Sequence, residues 1–187
     1  MVLPTPTSLA LTLLITSPFQ WFTVAGAKTF RIPPFSDSGA ALGGTAFLSG
    51  TAVVLWKGLF EGLDLTLGTL GATLSVLSLA LYEWARSTVA GRRFNIALAG
   101  EVPDAVCEAG PYRYIRHPFY LSYVIAFLGM LVATATLVAA VVFMFNLALF
   151  TYMALDDERT LERSALGSDY GTYKQRVGFL LLLPRRR

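Results

Sequence analysis

Between Gly110 and Tyr120 the chain reads Gly-Pro-Tyr-Arg-Tyr-Ile-Arg-His-Pro-Phe-Tyr, and this segment holds the only histidine of the protein, His117. Arg113 and Arg116 supply guanidinium groups for anions, and Tyr112, Tyr114 and Tyr120 supply flat ring faces and hydroxyls. From Phe119 to Leu155, overlapping the segment's end, run 37 residues without a formal charge. Acidic groups return at Asp156, Asp157, Glu158 and Glu162, the last two one helical turn apart. Polar rings and cations pressed against such an apolar run are expected to form the floor of a cofactor site at a membrane surface.

Taken singly, each residue has a plainer use. His117 suits a helix start, hydrogen-bonded to backbone, and Pro118 suits the first helical turn, where its missing donor costs nothing. Tyr112, Tyr114, Tyr120 and Tyr123 suit an interfacial aromatic belt, and Arg113 and Arg116 a membrane boundary. Glu158 and Glu162 read as a solvated helix face, and Glu83 as a snorkelling group or a partner of Arg86. Only their combination points to chemistry.

The elements that must position these groups are helices in a bilayer. The chain has 187 residues, is 55% apolar and carries only 14% charged residues, against about 25% in soluble domains. A single cysteine, Cys107, excludes an internal disulfide, and one cysteine with one histidine leaves no metal site to expect. A spanning helix needs roughly 20 apolar residues. The first candidate is about Leu3 to Gly26, interrupted by Pro18, which is expected to bend it. It lacks a basic leading segment and a small-residue cleavage site, so it reads as a retained span. The second is about Ala40 to Phe60 and the third about Leu65 to Ala85, both rich in small residues that let helices approach closely in lipid. The run from Phe119 is read as a helical hairpin, about 119–133 and 136–155, turning near Ala133-Thr134-Ala135-Thr136. Residues 1–90 thus form three N-terminal spans, and 91–187 the part that carries the chemistry.

Charge placement supports five spans. All the lysines and arginines except Lys57 then fall on one side. The excess of positive charge in cytoplasmic loops puts that side in the cytoplasm and the N-terminus outside. The 33 residues from 86 to 118 are too many for a simple turn and are expected to form an ordered, docked loop. Beyond Leu155 an amphipathic tail helix is expected, with Gly167 as its stop, a second short helix carrying Tyr170 and Tyr173, and Arg185-Arg186-Arg187 against anionic headgroups.

The order of motifs resembles the isoprenylcysteine carboxyl methyltransferase family, and more broadly the membrane methyltransferases that include phospholipid N-methylating enzymes. The residues that carry the resemblance are Gly110, Tyr112, Arg116, His117, Pro118 and Tyr120, then Glu158, Leu161, Gly167, Tyr170, Tyr173, Arg176 and Val177, with Phe94-Asn95 at the start of the loop. It covers about residues 92–180. What it implies is an all-α integral membrane protein of about five transmembrane helices, with S-adenosylmethionine bound on the cytoplasmic side between the long loop, the hairpin and the tail. The implied cofactor contacts are Asp104, Ala105, Val106, Cys107, Tyr112, His117, Pro118, Phe119, Tyr120 and Glu158, and the implied catalytic group is Arg116, His117 and Glu158.

The implied reaction is methyl transfer to the carboxylate of an amphiphilic, lipid-like or prenylated acceptor entering from the bilayer. Tyrosine rings favour the sulfonium by cation–π contact, Glu158 can bind an ammonium or ribose hydroxyls, and Arg116 and His117 can hold the donor's carboxylate. Two positions depart from the family pattern. Asp104 stands where members often have histidine. Ala154 stands one turn before Glu158, where members have an arginine thought to hold the acceptor carboxylate. A phospholipid amine acceptor, for which Glu158 and His117 would be the proton-removing groups, stays open. So do an NADPH-dependent reductase of the sterol type and a non-catalytic membrane protein. Nucleic acid is not an expected partner.

Overall fold

The computed structural model describes residues 5–29, 38–90, 103 and 105–180. Asp104, Phe94-Asn95 and Arg185-Arg186-Arg187 lie outside the described residues. Among the latter, the fold is all-helical: α1 (Pro6–Thr29), α2 (Ser38–Trp56) running into a π-helical turn (Lys57–Glu61), α3 (Leu65–Val89), a 3₁₀ turn (Gly110–Arg113), α4 (Pro118–Thr134), α5 (Leu137–Glu162) and α6 (Gly167–Arg176). Three stretches of the described residues are long and apolar enough to cross a membrane, Pro6–Gly26, Leu65–Val89 and Leu137–Glu162, while α4 is apolar but only 17 residues long. Leu137, Val138, Val141, Met144 and Phe145 leave one side of α5 exposed and wholly apolar. In water such a face would be costly, so this is the surface of a membrane-embedded protein.

The expected hairpin is present. Ala135 closes α4 in the left-handed region, with φ 46°, and its N–H bonds to the Leu131 carbonyl. Thr136 then caps α5 by accepting from the Ala139 N–H at 3.2 Å. Two residues therefore reverse the chain, and α5 packs back along α4. Pro18 is absorbed in a particular way. It cannot donate to the Leu14 carbonyl, and the Ser17 hydroxyl does so instead, at 2.8 Å.

Two sequence expectations need correction. The acidic tail is not a separate helix, because α5 continues unbroken past Leu155 to Glu162. Gly167 does not stop a helix but starts α6. Its role is steric, since a Cβ there would collide with the Glu162 carbonyl oxygen.

The bundle is centred on rings. Tyr123 of α4 touches Phe22 of α1, Phe47 of α2, Tyr82 of α3 and Phe150 of α5, with centroids 4.9 to 6.1 Å apart. Where α3 and α4 cross, the backbones nearly meet. A Cβ on Gly71 would lie 2.5 Å from the Gly129 carbonyl oxygen and 2.6 Å from the Ala133 Cβ, and one on Gly129 would lie 2.8 Å from the Gly71 oxygen. Further along, the Ser78 hydroxyl donates to the Ser122 carbonyl at 2.8 Å. Small residues thus allow dispersion and one polar bond to act where lipid removes the hydrophobic drive for helix pairing. Gly71→Ala should separate α3 from α4 and cost about 1–3 kcal/mol. A wild-type melting temperature for this variant in detergent would disprove the close crossing.

Candidate functional site

At one end of the bundle α5 delivers Glu158 into a pocket of donors, and only 3% of its side chain is exposed. Its Oε1 accepts from Arg116 Nε at 2.8 Å and from His117 Nε2 at 3.1 Å. Its Oε2 faces Lys174 Nζ at 2.7 Å. A carboxylate only accepts, so the imidazole proton sits on Nε2 and Nδ1 is bare. Burial holds the His117 imidazole below its ordinary pKa, although the Glu158 carboxylate pulls the other way. The ring is therefore neutral at pH 7.

The local sequence explains the convergence. Gly110 takes φ 53°, and a Cβ there would strike the Thr88 side chain, so the loop enters against the end of α3 only with glycine at that point. The 3₁₀ turn follows, then Pro118 opens α4 and fixes His117 as its N-cap residue. Arg116 and His117 are thereby presented side by side. The tail closes the site from the other flank. The Arg116 N–H donates to the Gly178 carbonyl at 2.8 Å, and Ile115 forms an isolated bridge with Gly178. Arg116 Nη1 reaches the carbonyls of Lys174, at 3.0 Å, and Val177, at 2.5 Å, while its guanidinium lies 5.7 Å from the Phe179 ring centre. The Tyr173 hydroxyl donates to the Tyr112 carbonyl at 2.7 Å.

Arg116, His117 and Glu158, expected together, are in direct contact. Arg116 is spent largely on the protein itself, since it fastens residues 174–178 to the loop, so its main work is positioning. Tyr120 lies beside His117, with centroids 5.9 Å apart. Tyr112 is buried next to α6, and burial raises its pKa well above the ordinary range. Val106 packs on Tyr170, Tyr173 and Val177. Cys107 is buried in the main core, whereas Ala105 is exposed. Phe119 points into the bundle and meets Tyr82 edge-on at 5.1 Å. Glu83 pairs with Arg86 at 2.6 Å and also accepts from the Trp21 indole, so it belongs to the bundle wall. Lys174 and Phe179 were not expected. Nothing in their spacing separates them from other tail residues, because their role depends on how the tail folds back.

The donor set fits the head of an amino-acid-bearing cofactor. One carboxylate, now paired with the chain's own donors, could exchange one of them for an ammonium, rings stand beside it, and two tyrosine hydroxyls are buried without a hydrogen bond of good geometry, Tyr120 near Asp157 and Tyr170 near Glu158. Among the described residues no cluster of histidine, cysteine or carboxylate side chains could hold a metal ion.

The model of the isoprenylcysteine carboxyl methyltransferase (ICMT) family matches residues 71–162, from the α3–α4 crossing to the end of α5. The match covers just under half of the chain. Methanethiol S-methyltransferase 1 of Bradyrhizobium diazoefficiens is 37% identical over 78 residues, which is 41% of this chain and 25% of that protein. The matched segment therefore spans about a quarter of that relative's length. No solved structure matches the chain.

Two measurements check the site. Arg116→Lys keeps the charge but loses the fork that reaches two carbonyls, and should lower stability by about 1.5–3 kcal/mol. An unchanged melting temperature would show that the tail is held by other contacts. For His117 the folded pKa is below the unfolded one, so the unfolded chain takes the proton first as pH falls. Stability should be lost downward from about pH 6.5, and His117→Asn should flatten that part of the melting-temperature profile. Parallel profiles between pH 7 and 5 would exclude His117 as the source.

Proposed function

We propose that this chain is an integral membrane methyltransferase that uses S-adenosylmethionine and methylates a small or amphiphilic nucleophile reaching the site from the bilayer. The observation that carries the reading is the buried Glu158, held among Arg116, His117 and Lys174 at the end of an apolar bundle, within a segment of the ICMT family. The orientation that fits it has this end of the bundle, the loop and the tail in the cytoplasm, and five helices crossing the bilayer.

The cofactor would supply an electrophilic methyl group on a sulfonium, together with an ammonium, a carboxylate and an adenine ring. Glu158 would accept from the ammonium. Tyr120 would present its ring to positive charge, and Tyr170 would offer its hydroxyl. His117, neutral and bare at Nδ1, would take a proton from a protic acceptor at that atom. Burial of all these groups excludes water and fixes their orientation.

The acceptor we favour is an uncharged thiol. A carboxylate acceptor would need a cation beside it, and the position expected to provide one is Ala154, which is wholly buried in the core. Arg116 and Lys174 are already engaged with Glu158. A curated relative named for S-methylation of methanethiol points the same way. A thiol must give up its proton for the sulfur to attack, and His117 stands ready for it, whereas a carboxylate needs no base.

The test is transfer of label from S-adenosylmethionine by the purified protein in lipid nanodiscs, offered alkyl thiols, a prenylcysteine and phosphatidylethanolamine in parallel. Alkyl thiols should become methylated, and Glu158→Gln should weaken donor binding about tenfold or more. Label on the prenylcysteine carboxyl and not on thiols would replace the acceptor assignment. Failure of the wild type to bind the donor would defeat the whole reading.

A further inference from the structure

Glu158 is not waiting for a ligand with a free carboxylate. Both of its oxygens are met by the chain's own cations or by His117, and they are met differently. Oε1 is shared by Arg116 and His117, which are held by the backbone of the loop and by the tail carbonyls. Oε2 faces Lys174. An incoming ammonium therefore meets Glu158 at Oε2, the position where Lys174 now stands.

Lys174 differs from its two companions in freedom. Its side chain is 38% exposed, against 10% for Arg116 and 7% for His117. It also has a second anion within reach, since the same Nζ lies 2.8 Å from Glu162 Oε1. Glu158 and Glu162 are four residues apart on α5, about 6 Å of helix rise. Lys174 bridges them from α6, so release from one leaves it paired with the other, with no charge stranded in a dry site. Arg116 has no such alternative, because leaving Glu158 would still leave it tied to the Lys174 and Val177 carbonyls.

We propose that Lys174 is a resident occupant of the ammonium subsite, a built-in competitor that keeps Glu158 neutralised and moves to Glu162 when the methyl donor binds. This rests on the reading of Glu158 as the anchor of the donor's ammonium. It makes Lys174 a determinant of donor affinity that weakens binding, and Glu162 the parking place that makes exchange easy.

The experiment is calorimetric titration of the full chain in lipid nanodiscs with S-adenosylhomocysteine, which keeps the amino group, and with its deaminated analogue. Lys174→Met should tighten S-adenosylhomocysteine by about three- to fivefold, the scale of a partly exposed ion pair. It should leave the deaminated analogue unchanged, and Lys174→Arg should restore wild-type affinity. Glu162→Gln removes the parking place and should shift affinity the opposite way. A residue with a merely structural role would not give opposite signs. Weaker S-adenosylhomocysteine binding in Lys174→Met would assign Lys174 to the ligand's carboxylate and overturn the proposal. Unchanged binding in Lys174→Met, with binding lost in Glu158→Gln, would sink the proposal alone. Full-strength binding in Glu158→Gln would sink the proposal and the reading beneath it together.

Discussion

A carboxylate buried at the end of a membrane-grade helix imposes conditions on everything around it. Taking it out of water costs several kcal/mol unless positive charge and hydrogen-bond donors are assembled in its place. Here three groups do so from two separate parts of the chain: Arg116 and His117 from the loop before α4, and Lys174 from α6. The loop and the tail also pack on the main core, through Cys107 and Tyr112 and through Phe179 and Leu180, and Glu158 adds the polar part of their attachment. The hairpin then acquires a purpose, because it is α5, folded back by Ala135 and Thr136, that returns the carboxylate to the end where the loop lies.

The rest of the fold can be read as support for that placement. α5 continues from the lipid-facing Leu137 to Glu162 without a break, so the site stands on the same rigid rod that is anchored among the rings at Phe150. α4 begins at the site with Pro118 and is locked to α3 by the glycine crossing and by the bond from Ser78 to Ser122. Glu158 and Lys174 are thereby carried on helices and His117 caps one, with Arg116 directly before it, as pre-organised chemistry requires.

The hairpin was legible because a charge-free run of that length exceeds what one span needs, because charge placement favours it over a single tilted helix with a long extension, and because alanine and threonine mark its turn. The meeting of Arg116, His117 and Glu158 was legible from the motif order and from the odd number of expected spans, which puts loop and tail on one side. Other features were not. The continuation of α5 past Leu155 was hidden by the change from apolar to acidic composition, which reads as a helix end but marks only where the apolar part of the helix stops. Gly167 carries the usual mark of a helix stop, yet what requires it is the Glu162 carbonyl oxygen. The carbonyl partners of Arg116 belong to backbone atoms and have no signature in residue types. Lys174 looks like any exposed lysine until α6 is folded against Glu158.

The substitution of alanine at the position before the glutamate gains meaning from the packing. An arginine at residue 154 would project from a fully buried point among the rings of the core, where an unpaired guanidinium is not tolerated. Such a residue is stable only if its partner is present, so a bundle that carries it commits to an anionic acceptor. With alanine there, that point is apolar and neutral, and among the described residues the charged groups of the site are those around Glu158, with Asp157 near Tyr120. Under the proposed function, selection of the acceptor would then come from size and apolar contact with the surrounding rings, which discriminate weakly between similar apolar groups. The charged half of the site would be reserved for the donor, and the apolar half would accept what the bilayer delivers.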